Sequence, residues 1–138
     1  MSALVNDERT ALEDLLESCY SAIYAYGIIA AYLAGPDEAL DAMASFRNQR
    51  DQLLANFKDL NYSAPPARAA YSLLSPISDE ASARATAALL EESAVAHWAN
   101  AVFYLPKHIQ QRECEFLQGC AIRSFSWSGI AKAFSSSD

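Results

Sequence analysis

The chain has 138 residues, which fits one compact domain, and its 52% hydrophobic content is enough for a core. The formal net charge of −7 argues against a nucleic-acid partner, because phosphates are bound largely by Lys and Arg side chains, and it disfavours docking on anionic lipid. Only four glycines and five prolines, among many alanines and leucines, favour helix over strand.

The first two predicted helices are joined by a very short turn. Helix one spans residues 7–34, with Asn6 as its N-cap, and it stops at Gly35 and Pro36 because proline lacks the amide hydrogen that would continue the helix. The same proline can begin helix two, which spans residues 37–60. A turn this short makes the two helices antiparallel neighbours.

Residues 61–78, NYSAPPARAAYSLLSPIS, separate the second and third predicted helices. Pro65, Pro66 and Pro76 prevent a continuous helix here. Helix two would be about 36 Å long, and an extended segment of this size reaches at most about 60 Å. The segment can therefore cross the full length of a bundle and start helix three beside the start of helix two.

Two further helices complete the predicted fold. Helix three spans residues 79–104 with Ser78 or Asp79 as its cap, and helix four spans residues 107–134. Short, long and short connections are typical of a ferritin-like four-helix bundle with one long crossover, whereas a plain up-down-up-down bundle does not need the long one. We predict an all-α single domain over residues 1–138 with the ferritin-like crossover.

Four charged residues interrupt the apolar seams that the predicted helices turn inward, namely Arg50, Glu92, Glu113 and Arg123. Burying one charge alone costs several kcal/mol, so that each inward charge needs a partner. We predict a buried charge network in which Arg50 or Arg123 pairs with Glu92. For Glu113 a position on the surface is an equally open alternative.

Acidic residues inside a bundle raise the question of a di-metal centre of iron or manganese. Such centres take a Glu-x-x-His motif from each of two helices, and neither His97 nor His108 has a glutamate three positions earlier. We therefore expect no metal and no cofactor. If a metal does bind, the residual candidate ligands are Glu17, Glu92 and Glu113.

The stretch from Ser18 to Pro36 contains no charged residue. It contains Gly27 and four tyrosines and is short for a membrane span, so we predict no membrane insertion. One of its stripes faces the bundle, and Tyr20, Tyr24 and Tyr32 lie on a second stripe that needs its own cover. Either a second subunit of a homodimer covers these tyrosines, or the crossover does, for example through its AYSLL segment.

Chemistry-bearing motifs are scarce. Cys19, Cys114 and Cys120 lack metal-ligand spacing, and the first ten residues lack a signal-peptide pattern, which predicts reduced thiols in a cytoplasmic protein. No Gly-rich phosphate loop is present, and FSWSG lies inside helix four rather than at a strand-to-helix turn. The sequence therefore nominates no catalytic residue.

Four short motifs follow one another along residues 10–133. They are AIYAYG in helix one, FRNQRDQL in helix two, LLEESAVAHW in helix three and AIRSFSW in helix four. In this order and spacing they resemble an actinobacterial ferritin-like domain family of uncharacterised function. The resemblance implies a four-helix fold and carries no established activity.

The chain departs from that family's pattern at two places. Members commonly read Glu-His before the Tyr-Gly motif, where this chain has Cys19 followed by tyrosine, and His-Arg in helix two, where it has Phe46 followed by arginine. The glutamate pair of helix three is present as Glu91 and Glu92. Two positions that could support metal binding in the family are thus apolar or neutral here, which weakens the metal hypothesis.

Three functional hypotheses follow from these patterns. The favoured one is a non-catalytic, metal-free bundle that acts through self-association or through an unidentified protein partner, and it predicts a homodimer at micromolar concentration. The alternative is a ferritin-like di-metal binding protein or oxidase with a degenerate site. The third is small-molecule binding between the helices, which the many alanines of helix three disfavour because they let the helices approach closely.

Overall fold

The computed structural model describes the backbone of residues 2–136 and the side chains of residues 7–129. Within these limits the protein is all-helical, which confirms the predicted all-α four-helix fold. The elements are α1 (Ser2–Ala31), α2 (Asp37–Asp59), α3 (Glu80–Ala101), a 3-10 turn (Val102–Tyr104) and α4 (Lys107–Ser136). None of the helices in the described part of the chain is long and apolar enough to cross a membrane.

The ends of α1 differ from the predicted ones. Its backbone is already helical from Ser2, so that Asn6 lies inside the helix and is not its N-cap. At the other end the chain tightens after Ala31, where the amide of Tyr32 donates to the carbonyl of Ile29 at 3.0 Å. Such i to i+3 bonds satisfy the last carbonyl groups of a helix and end it.

A capping box starts α3. The carboxylate of Asp79 accepts a hydrogen bond from the amide of Ser82 at 2.7 Å, and the hydroxyl of Ser82 accepts one from the amide of Asp79 at 3.0 Å. Hydrogen bonds from Ser82 lower the pKa of the Asp79 carboxyl. At its other end α3 passes into the 3-10 turn before Leu105 and therefore stops at Ala101.

The crossover between α2 and α3 runs along the full length of α1. Four contacts mark its path in chain order. Tyr62 Oη donates to Glu8 Oε1 at 2.8 Å, and Arg68 Nη2 donates to Glu17 Oε2 at 3.2 Å. Further along, the ring of Tyr71 lies 6.1 Å from that of Tyr24, and the carboxylate of Glu80 accepts a hydrogen bond from the amide of Ala34 at 3.3 Å. The last contact places the start of α3 at the end of α1. The two helices are therefore antiparallel.

An aromatic cluster fills the middle of the bundle. The ring of Phe46 lies 6.1 Å from Tyr26, 6.5 Å from Trp98 and 5.2 Å from Phe116. Tyr26, Phe46 and Trp98 are fully buried, so that α1, α2 and α3 all contribute to one core. Small buried residues on α3, among them Ala87 and Ala94, allow its neighbours to approach closely.

Candidate functional site

Glu91 of α3 is fully buried and carries the first of two charge networks in the core. Its Oε2 atom accepts a hydrogen bond from the hydroxyl of Tyr26 and one from Nε of Arg123 at 2.9 Å. Trp127 Nε1 donates in turn to the Tyr26 hydroxyl at 3.2 Å. Within the described residues, the second oxygen of Glu91 is buried without a hydrogen-bond partner. The carboxylate is therefore held by groups from α1 and α4.

The predicted network of Arg50, Glu92 and Arg123 needs a correction. The glutamate that Arg123 contacts is Glu91, whereas Glu92 is exposed. Arg50 is not part of the network, because its Nε atom pairs with Asp51 Oδ1 at 3.0 Å near the surface. Successive side chains of an α-helix point in directions about 100° apart. An error of one position in the predicted seam therefore assigns a buried side chain to the surface and an exposed one to the core.

Glu113 of α4 lies in the core as well, and the surface alternative is thereby excluded. Its Oε1 atom accepts hydrogen bonds from Gln49 Nε2 and from Trp98 Nε1, the latter at 3.0 Å. Its Oε2 atom accepts from Arg112 Nε at 2.7 Å, and Arg112 also donates to Asn56 Oδ1. Each buried glutamate is thus neutralised by one arginine of α4.

Gln49, Asn56 and Arg112 belong to this network although they are not among the predicted site residues. A signal was present, because Phe46, Gln49, Leu53 and Asn56 recur at steps of three and four residues and all are buried. A polar residue that keeps step with buried apolar residues faces the core and needs a hydrogen-bond partner there.

Two buried thiols and one buried phenol border the same networks. Burial raises the pKa of Cys19, and the negative charge of Glu113 adds to the effect. Burial likewise raises the pKa of Cys120 and of Tyr26, and for both the charge of Glu91 comes second. A thiol in such surroundings stays protonated and is unreactive as a nucleophile.

We expect these groups to destabilise the fold in alkaline solution. The folded protein keeps protons on Cys19, Cys120 and Tyr26 that the unfolded chain releases above its own pKa values, about 8.5 for Cys and 10 for Tyr. Their stabilising contribution is present below those values and is lost as the pH rises, at about 1.4 kcal/mol per pH unit and group. Urea unfolding in reductant at about pH 7.5, 9 and 10.5 measures this.

A Cys19→Ala, Cys120→Ala variant is the control for the alkaline effect. It lacks both thiols and should lose less stability between about pH 8.5 and 9.5 than the parent protein does. An equal loss in the two proteins over that interval would contradict the assignment to the buried thiols.

The residual metal candidates do not come together. Glu17 lies on α1 beside Arg68 of the crossover, Glu92 is exposed on α3, and Glu113 is in the core. Among the described residues no group of three or more His, Cys, Asp and Glu side chains is placed to hold a metal ion. Both buried carboxylates are already paired with arginine, so the residues present do not fit a di-metal centre.

The crossover contacts two of the three tyrosines predicted for an interface. Tyr20 Oη donates to the carbonyl of Pro65 at 3.3 Å, and the ring of Tyr24 lies 6.1 Å from that of Tyr71. Both are half-buried, whereas Tyr32, beyond the last turn of α1, is 43% exposed. Of the two alternatives for covering the stripe, the crossover accounts for Tyr20 and Tyr24.

Among the described side chains of the four α-helices, the two most exposed large apolar ones lie together on α4, and only Phe103 of the 3-10 turn is more exposed, at 83%. Ile122 is 70% exposed and Phe125 is 78% exposed, and their spacing of three residues places them on one face. Ala121 is exposed beside them, and the hydroxyl of Ser124 donates to the carbonyl of Ala88 at 3.5 Å, which brings α3 alongside. We call Ala121, Ile122 and Phe125 the α4 face.

Comparison with known proteins places this bundle in a family. The model of the family described as Domain of unknown function (DUF4439) matches residues 11–136. The chain belongs to this family. The crystal structure of a conserved hypothetical protein, rv2844, from Mycobacterium tuberculosis is similar to this DUF4439 protein, with a TM-score of 0.88 and 25% identity over 94% of each chain. No curated protein matches the sequence. Neither description attaches an activity to the DUF4439 fold.

Proposed function

We propose that this DUF4439 protein is a non-catalytic, metal-free, ferritin-like bundle that acts in the cytoplasm by self-association, and that two copies meet through the α4 face. The observation that carries the proposal is the exposure of Ile122 and Phe125, at 70% and 78%. Large side chains that project together from a helix are typical of a protein–protein contact.

Charge supports a second copy as the occupant of this face. The protein carries a net charge of −7, and two copies repel one another over most of their surface. Between Phe116 and Gly129, however, α4 has a single charged residue, Arg123, and its guanidinium is paired with the buried Glu91. The three residues of the α4 face therefore bring no negative charge into a contact between two acidic chains.

Shape supports the same occupant. Ile122 and Phe125 project from α4 as large side chains. Ala121 next to them on α4 and Ala85 on α3 are exposed as well, but their side chains are small. Ala85 lies one turn from Ala88, whose carbonyl accepts a hydrogen bond from Ser124, so that a small exposed residue of α3 lies close to α4. A two-fold axis can seat the projecting side chains of each copy on the small residues of the other.

The buried networks support a structural role for the core. Tyr26, Gln49 and Trp98 donate to the two carboxylates. Each carboxylate is also paired with an arginine of α4, which supplies the positive charge that a metal ion would otherwise bring. The long crossover between two short connections supports the ferritin-like relationship. We therefore place the activity of the protein on its surface rather than in its core.

Light scattering at micromolar concentration tests the proposed dimer. We expect the parent protein to have the mass of two chains and the Phe125→Glu variant to have the mass of one, because a buried unpaired charge at the interface costs several kcal/mol. Leu40→Glu is the matched control: Leu40 is also an exposed apolar residue, 42% accessible, but it lies on α2. This variant should remain dimeric.

Two results would overturn the proposal. One is a parent protein that stays monomeric at these concentrations, and the other is a Phe125→Glu variant as dimeric as Leu40→Glu. A Tyr32→Glu variant separates the two candidate interfaces, since it should dissociate the dimer only if the tyrosine stripe of α1 forms the contact. Circular dichroism of each variant establishes that the helices are intact.

A further inference from the structure

A cleft of about 230 Å³ lies between α1 and α3, and the crossover borders it with Tyr71 and Leu74. It is independent of the α4 face. Apolar walls make up most of it, formed by Ala22, Leu74, Leu90 and Ala94. A mostly apolar cleft with a few polar groups at defined places is the common form of a small-molecule site.

The polar groups of this cleft are acids and hydroxyls. Asp14 and Glu17 of α1 line it, and their spacing of three residues places them side by side on one face of the helix. Three serine hydroxyls and His97 complete the lining, which includes no Lys or Arg. The Nδ1 atom of His97 lies 2.8 Å from Asp14 Oδ2 and holds that carboxylate in place.

One positively charged side chain, that of Arg68, lies next to the residues that line this cleft. Arg68 of the crossover donates from Nη2 to Glu17 Oε2 at 3.2 Å, and its guanidinium carbon lies 5.4 Å from the ring centre of Tyr71. The side chain of Arg68 is 70% exposed, so that this pair is largely screened by water. Glu17 and the ring of Tyr71 are thus in contact with one positive group of the chain itself.

We propose that the cleft binds a small organic cation with an apolar body, of the arylalkylamine class. The ammonium group lies between Asp14 and Glu17, and the apolar body lies against Leu90 and Ala94, with the ring of Tyr71 beside it. The cleft volume of about 230 Å³ is below the about 300–1,000 Å³ of most ligand sites, which limits the occupant to a molecule as small as a phenyl ring with a short amine chain.

A neighbouring cleft favours a cation over an anion. It has a volume of about 360 Å³, lies between α1 and the end of α3, and shares Asp14 with the first cleft. Its lining adds a further acid, Asp7, together with Asn100 and Tyr104, and again includes no Lys or Arg. An anion in either cleft would oppose these carboxylates, whereas a cation is attracted by all of them.

Isothermal titration with phenethylamine tests this inference, with 2-phenylethanol and phenylacetate as neutral and anionic controls of the same shape. We expect the amine to bind and the two controls to bind at least about tenfold more weakly, the loss that corresponds to one charge-assisted interaction. Asp14→Asn should weaken the amine about tenfold, while Asp41→Asn, which removes an exposed acid of α2, should leave it unchanged.

A second variant keeps the test independent of charge. Ser93→Leu places a larger side chain in the cleft from α3 and should abolish binding, while circular dichroism checks the fold. The inference is overturned if phenethylamine shows no saturable heat at millimolar concentration, if the alcohol or the acid binds as well as the amine, or if neither Asp14→Asn nor Ser93→Leu weakens binding. Light scattering on the same samples reads out the dimer separately.

Discussion

Replacing Arg123 with methionine is expected to lower the free energy of unfolding by about 3–5 kcal/mol, the usual cost of leaving a buried charge without its partner. Glu91 is 0% exposed, and Arg123 is the cation that pairs with it, at 2.9 Å. Methionine keeps the apolar stem of the side chain, so that the loss reports mainly on the charge. Urea unfolding at neutral pH measures the change.

Two further variants make the Arg123 test specific. Arg50→Met removes an arginine that pairs with Asp51 near the surface and should cost less than about 1 kcal/mol. The double variant Arg123→Met, Glu91→Leu removes both charges of the buried pair and should recover much of the loss, because no unpaired charge remains. Additive losses in that double variant would show that the two residues are not energetic partners.

The contrast between Arg123 and Arg50 shows what the sequence could and could not predict. Arg123 is at a position where the apolar periodicity of α4 predicts an inward side chain, and it does reach a buried glutamate. The apolar periodicity of α3 does not decide whether Glu91 or Glu92 faces inward, since each of the two residues fits a seam of alanines. The rotation of α3 about its axis settles it, and that rotation depends on tertiary packing.

The crossover could be predicted from local chemistry more reliably than the rotation of each helix about its axis. Prolines forbid a helix between α2 and α3 whatever the surroundings are, and the length of the segment was sufficient to span the bundle. The sequence does not decide whether the crossover or a second subunit covers Tyr20, because that depends on the exact path of the crossover. In the structure Tyr20 donates to the carbonyl of Pro65 in the crossover. Phe125 is two positions after Arg123 and therefore off the inward seam of helix four, so that its exposure agrees with the helical periodicity.

Phe46→Ala is expected to lower the free energy of unfolding by about 3–5 kcal/mol, through lost burial and the cavity that remains. The ring is 0% exposed and contacts aromatic residues of three other helices, among them Phe116 at 5.2 Å. Phe103→Ala is the control: Phe103 is 83% exposed, and its truncation should change stability by less than about 0.5 kcal/mol.

The same variant tests how the core holds its charge. The guanidinium carbon of Arg123 lies 5.4 Å from the ring centre of Phe46, so that the ring supports the cation while Glu91 pairs with it. Phe46→Ala and Arg123→Met should therefore be non-additive, with a coupling of about 0.5–3 kcal/mol, as is usual for residues in contact. Strict additivity in urea unfolding would mean that the ring only fills space. A measured coupling would make Phe46 part of the arrangement that keeps an arginine in the middle of the bundle.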